Sequence, residues 1–311
     1  MRAKLISTLI LAIGLVTAPP AHAEDVVTIA VGDRPAAVAV NSVTGAVYVA
    51  GSRSITVVAG NLVIATVDVG GPLSDIAVNE RTGRVYAANA GAGTVTVLDG
   101  DSNAVLGVIA AGPGTSTLDV DENTNTIYAS GGPAGDVALL DGVSDTLRET
   151  LSGPVGPLIG VRVDAGRRVA YFTGDRSKTV EVLDTVGKTF VGAAPVGNAP
   201  AGLDLHEASN TLYVANSGIH HMSVVDGATR TEKAKVLLRS AASSVAVYQA
   251  GATVYTNGGP NGLVRIDGRK NEVTGELSLG TNAGDVAVDQ RTRIVYVADP
   301  QRDSLLAVTG F

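Results

Sequence analysis

His220 and His221 are the side chains of this sequence best suited to move protons or ligate a metal, and they stand together in the segment NSGIHH. Imidazole titrates near neutral pH, so either ring is a candidate general base or ligand. The competing reading is an exposed loop pair beside a strand start, and the surrounding sequence favours it. A Ser-His-Asp order, a G-x-S-x-G elbow and a P-loop are absent. The chain has no cysteine, which excludes haem attachment through C-x-x-C-H and thiolate zinc sites. Asp119, Asp121, Glu122, Asn123 and Asn125 give part of a calcium-loop pattern, but Thr124 stands where a glycine is required and Ser130 where a closing glutamate is required. That run reads as a polar turn. No catalytic constellation, cofactor or metal is expected from these residues.

The elements that carry the histidines repeat. Aligning the sequence on GRVYAANAGAGTVTVLDG at 83–100 brings Tyr48, Tyr86, Tyr128, Tyr171, Tyr213, Tyr255 and Tyr296 into one register, 38 to 43 residues apart, and leaves only Tyr248 outside it. An acidic turn follows each tyrosine of the inner units: Asp99-Gly100, Asp141-Gly142, Asp184, Asp226-Gly227 and Asp267-Gly268. A short alternating strand precedes it, written VAVN, IAVN, LDVD, VRVD, LDLH and VAVD at 38–41, 76–79, 118–121, 161–164, 203–206 and 286–289. Val, Ile, Thr and Tyr dominate these runs, and Gly, Pro, Asn and Ser clusters separate them, as expected for short strands joined by turns. The second unit reads as strands near 75–79, 83–88, 94–99 and 104–110. A period near 42 residues with four strands per period is the pattern of propeller blades. The fold expected is an all-β, seven-bladed β-propeller with four antiparallel strands per blade.

The ends of the chain fit a closed ring. Arg2 and Lys4, the apolar run 5–16 and Ala21-His22-Ala23 form a signal peptide, with cleavage expected after Ala23. Residues 24–311 would then be one propeller domain. The last unit stops at SLLAVTGF, its third strand, and the orphan strand Val26 to Val31 should supply the fourth. Losing Arg2 and Lys4 takes Lys+Arg from 23 to 21 against 30 acidic residues, a net charge of −9. Such a field repels phosphates and anionic membrane surfaces. No apolar run after the leader is long enough to span a bilayer. A secreted, periplasmic or cell-envelope monomer is expected.

In a propeller, ligands sit over the axis on the face made by the loops joining strand four to the next strand one and strand two to strand three. Polar candidates there are Arg34, Arg53, Asp75, Asn89, Asp175, Arg176, Asn216, His220, His221, Asn257, Asn261, Asp285, Asp299 and Arg302. His206 belongs to the opposite end of a first strand, roughly 17 Å away for about five residues, so the three histidines cannot easily converge on one metal.

The phrases VYVA, VYAAN, LYVAN and VYVAD, with the LDG turn and the VAVN strand, resemble the YVTN-type β-propeller repeat over nearly all of residues 24–311. The resemblance implies a seven-bladed, exported bacterial propeller and no single activity. Departures are Ala59-Gly60 in place of Asp-Gly, the extra Tyr248, and the loops SGGPAG and TGDRSK. The favoured function is non-enzymatic binding of an unknown protein or small ligand over the axial loop face. One alternative is a lyase or hydrolase using His220 or His221. Another is single-stranded DNA binding, as in one relative, which the acidic charge and the shortage of free aromatic rings oppose.

Overall fold

A computed structural model describes residues 24–259 and 262–311. The expected leader and Asn261 lie outside the described residues. Those residues form seven four-stranded antiparallel sheets. They are named here blade 1 (residues 37–68), blade 2 (75–110), blade 3 (117–151), blade 4 (158–195), blade 5 (200–237), blade 6 (245–278) and blade 7 (286–309 with 25–30). The chain is a seven-bladed β-propeller. In the second unit the strands are Asp75–Asn79, Arg84–Asn89, Thr94–Asp99 and Val105–Ala110, within a residue of the sequence reading.

Blade 7 is made from both ends of the chain. Asp25–Ala30 pairs antiparallel with Ser304–Thr309, from Asp25 opposite Thr309 to Ala30 opposite Ser304. Val31 N then donates to Asp303 O at 3.1 Å and Arg34 N to Asp303 Oδ1 at 2.9 Å, fastening the amino-terminal segment beyond the strand. Without a disulfide, this pairing is what converts an open arc of sheets into a ring.

Each sheet packs face to face on both neighbours, so alternation by side does not require alternation in polarity. In Ala46–Ala50 all five residues are buried, as they are in Thr126–Ser130 and Val295–Asp299. The fourth strands lie at the rim. In blades 1 to 6 each carries a register shift of the bulge type, which twists an exposed edge away from edge-to-edge pairing.

The two repeat signatures are halves of one contact between blades. Tyr48 and Tyr213 donate to the carbonyls of Gly100 and Gly268 in the next blade, at 3.2 and 2.8 Å, and Tyr86 and Tyr171 donate to Asn125 and Asn210 Oδ1, both at 3.3 Å. A Cβ on Gly100, Gly142, Gly227 or Gly268 would fall 2.5 to 2.9 Å from the tyrosine oxygen of the preceding blade. Glycine is therefore needed for close approach. The aspartate before it accepts main-chain N–H groups of its own turn, as Asp141 Oδ1 does from Val143 at 2.7 Å. The tyrosine ring fills the gap between sheets while its hydroxyl finds a partner.

Candidate functional site

The innermost strands of the blades surround an axial cavity of about 920 Å³. Three positions of these strands decide its chemistry. Opposite the repeat tyrosines stand Ala39, Ala77, Asp119, Arg162, Asp204, Ala246 and Ala287. Arg162 sits between two carboxylates from the adjacent blades: its Nε lies 2.9 Å from Asp204 Oδ1 and its Nη1 3.6 Å from Asp119 Oδ2. Asp204, and after it Asp119, holds the Arg162 guanidinium above its ordinary value. Burial raises the Asp119 and Asp204 carboxyls, with Arg162 and main-chain donors opposing it.

Towards the loop face that the sequence designates lie Asp75 and Asp285, on either side of blade 1. Burial pushes the Asp75 carboxyl up to about 7, with the charge of Asp285 adding to it and hydrogen bonds from Leu118, Ile76 and Thr117 opposing it. Burial also raises Asp285, against donors that include Ser244.

All four aspartates perform the same structural task. Each accepts a main-chain N–H from the inner strand of a following blade: Asp75 from Leu118 at 2.9 Å, Asp119 from Val163 at 2.7 Å, Asp204 from Val247 at 2.7 Å and Asp285 from Val38 at 2.9 Å. At the opposite mouth the bonds run the other way. Glu80 Oε1 accepts from Ser42 N at 2.7 Å, Glu122 Oε1 from Glu80 N at 3.2 Å, and Gln249 and Gln290 Oε1 from Glu207 N and Gln249 N at 3.0 and 2.9 Å. The inward polar groups thus tie the ring and line the cavity at once. Among the described residues, seven lining carboxylates, from Asp75, Glu80, Asp119, Glu122, Asp204, Glu207 and Asp285, face a single lining cation, Arg162.

Of the candidates read from sequence, the structure brings Asp75 and Asp285 to this cavity. Asn257 stands behind Asp285. Its Oδ1 accepts from Ser243 and Ser244 N at 2.9 and 3.1 Å, and its Nδ2 donates to Ala283 and Gly284 O at 3.1 and 2.9 Å, which fixes the loop before Asp285. The remaining described candidates lie away from the axis. Asn216 is fully buried and donates to His221 O at 2.9 Å and Ser223 Oγ at 3.1 Å. Asp299, also fully buried, accepts from Thr281 Oγ1 at 2.9 Å and Gln301 N at 3.1 Å. Asn89 Oδ1 caps its own turn through Ala92 N at 3.0 Å. Asp175 N donates to Pro157 O at 3.2 Å, beside an exposed Arg176. Arg34, Arg53 and Arg302 are exposed, Arg53 with Asp68 at 3.9 Å and Arg302 with Leu279 O at 3.3 Å.

The two histidines stand in different surroundings. His220 is exposed and His221 is buried. Burial, then the charge of Lys235, lowers the His221 ring below its ordinary value. Among the described residues no group of three or more His, Cys, Asp or Glu side chains is disposed to hold a metal ion.

Arg162 and Asp204 are absent from the sequence candidates, and Asp119 figures there only in the calcium-loop pattern that reads as a polar turn. Their signal was present in the second letter of the first-strand phrases, which runs Ala, Ala, Asp, Arg, Asp and Ala through VAVN, IAVN, LDVD, VRVD, LDLH and VAVD. Compared with protein-family models and with curated proteins, the chain matches none.

Proposed function

We propose that the chain is an exported, non-enzymatic β-propeller of the YVTN-repeat type, which binds a positively charged ligand or partner segment at the axial mouth marked by Asp75 and Asp285. The observation that carries this reading is the axial cavity of about 920 Å³ with its seven carboxylates and one arginine. Low-dielectric walls of one sign concentrate counter-charge in a cleft. The size falls within the usual range of ligand pockets, about 300 to 1,000 Å³. A binding role also suits carboxylates already held by main-chain donors, since fixed groups attract a cation without being reorganised. The leader peptide supports export, and the repeat phrases support the family.

Calorimetric titration of the mature chain with spermidine at pH 8, above the raised value of Asp75, tests the reading. Saturable binding is expected, weakened at least tenfold in the Asp75→Asn, Asp285→Asn double variant. Equal affinity in that variant, or no saturable heat with the parent protein at low salt, refutes it.

A further inference from the structure

A second cavity, of about 550 Å³, lies between blades 3 and 4 on the face opposite the axial mouth. It opens where the contact between tyrosine and turn is altered. In three other places the left-handed residue of the turn between strands one and two receives the tyrosine hydroxyl of the preceding blade, or donates to it. Asn125 meets Tyr86 and Asn210 meets Tyr171, both at 3.3 Å, and Arg293 Nε donates to Tyr255 at 2.8 Å. Arg168, with φ 59°, holds the same turn position in blade 4 and lines the same cavity as Tyr128 of blade 3. Yet no hydrogen bond joins Arg168 to Tyr128. The acidic turn of blade 4 reads Asp184-Thr185, without the glycine that follows the aspartate elsewhere, and Tyr128 faces Thr185.

The cavity is lined by Tyr128, Arg148, Arg168, Thr185, Val186 and Lys188, with Asp121 and Glu149 also on its wall. Two of the cations are committed: Arg148 Nη2 lies 2.7 Å from Asp141 Oδ2, and Lys188 pairs with Glu149. Arg168 has no hydrogen-bond or ion-pair partner for its guanidinium among the described residues. Asp121 Oδ1 is taken up by the N–H groups of Asn123 and Thr124, at 2.9 and 3.2 Å. In a chain with net charge −7, a solvent-exposed arginine without a partner, on the wall of a polar cleft open to solvent, is free to meet an anion.

We infer that this inter-blade cavity binds a small organic carboxylate, its carboxyl group held by Arg168 and its body resting on Val186 and the threonines of the wall. The planar guanidinium fork matches a carboxylate in two parallel bonds. The hydroxyl of Tyr128, pushed up to about 12 by burial, stays protonated and able to donate. The cavity volume exceeds that of a bare ion, which leaves room for an attached carbon skeleton. This site is separate from the axial cavity and does not depend on it.

Titration of the full chain with benzoate, followed by calorimetry and by the Arg168 Nε–H resonance, tests the inference. Benzoate should bind saturably and shift that resonance. Arg168→Gly, which suits the positive φ and so preserves the fold, should weaken binding at least tenfold with an unchanged unfolding midpoint. Arg168→Lys, which keeps the charge and loses the fork, should fall between the two. Benzamide, the neutral analogue, should not bind. The inference is overturned if benzoate does not bind, if benzamide binds equally well, if Arg168→Gly retains full affinity, or if inorganic phosphate binds and benzoate does not.

Discussion

Replacing Asp75 by asparagine should reverse its effect on stability between acid and alkaline solution. The Asp75 carboxylate receives Thr117 Oγ1 at 3.0 Å, Leu118 N at 2.9 Å and, on its other oxygen, Ile76 N at 2.8 Å. Burial nevertheless moves it from 3.8 to about 7. In the folded protein it therefore keeps its proton over a range in which the unfolded chain has released it. Stability then falls as pH rises from about 4 to about 7. At about 1.4 kcal/mol per pH unit the full cost of ionising it in the fold is of the order of 4 kcal/mol. Asparagine never ionises, but it loses roughly 1 to 2 kcal/mol of hydrogen bonding where an amide N–H meets a donor. The variant should be more stable than the parent by about 2.5 kcal/mol at pH 8 and less stable by about 0.5 kcal/mol at pH 4.5. Urea unfolding followed by circular dichroism at both pH values reads this directly. A difference of the same sign and size at both would refute the assignment of a raised Asp75.

Two further substitutions test the ties between blades. Gly142→Ala places a methyl group 2.5 Å from the Tyr86 hydroxyl and should cost about 2 kcal/mol. Tyr86→Phe should relieve part of that, giving a coupling of about 1 kcal/mol in a double-mutant cycle; strict additivity would contradict the contact. Arg162→Met leaves Asp119 and Asp204 without their shared cation. The loss should be about 2 kcal/mol at pH 8, reduced because the arginine is partly solvated, and should shrink as pH falls, since both carboxyls are raised by burial. A loss independent of pH would show that packing of the side chain, rather than charge, decides the effect.

The blade was legible because its determinants are local. The Tyr86 register, the Asp99-Gly100 turn and the alternating strand before them each recur within one period, and the unpaired third strand at 304–309 announced a partner elsewhere in the chain. The site was legible only in part. Asp75 begins an inner strand and Asp285 immediately precedes one, so placing the strands placed them at the mouth. Asp119, Arg162 and Asp204 lie inside the strand phrases. Their inward direction follows from which face of a first strand meets the axis, a fact of assembly rather than of the strand itself. Asn216 and Asp299 mark the converse: their loops suggested a ligand surface, but short side chains at strand ends close on neighbouring main-chain and hydroxyl groups. The cavity beside Tyr128 had a visible trace too, in the absence of a glycine after Asp184. Its meaning depended on knowing that the glycine answers a tyrosine in another blade.

The axial binding site is tested most directly by a crystal structure of residues 24–311 grown with spermidine at pH 8. The expected result is an amine bound within hydrogen-bonding distance of Asp75 and Asp285, inside the ring of inner strands. Amine density found only on the outer surface, with the axial mouth holding solvent alone, would contradict it.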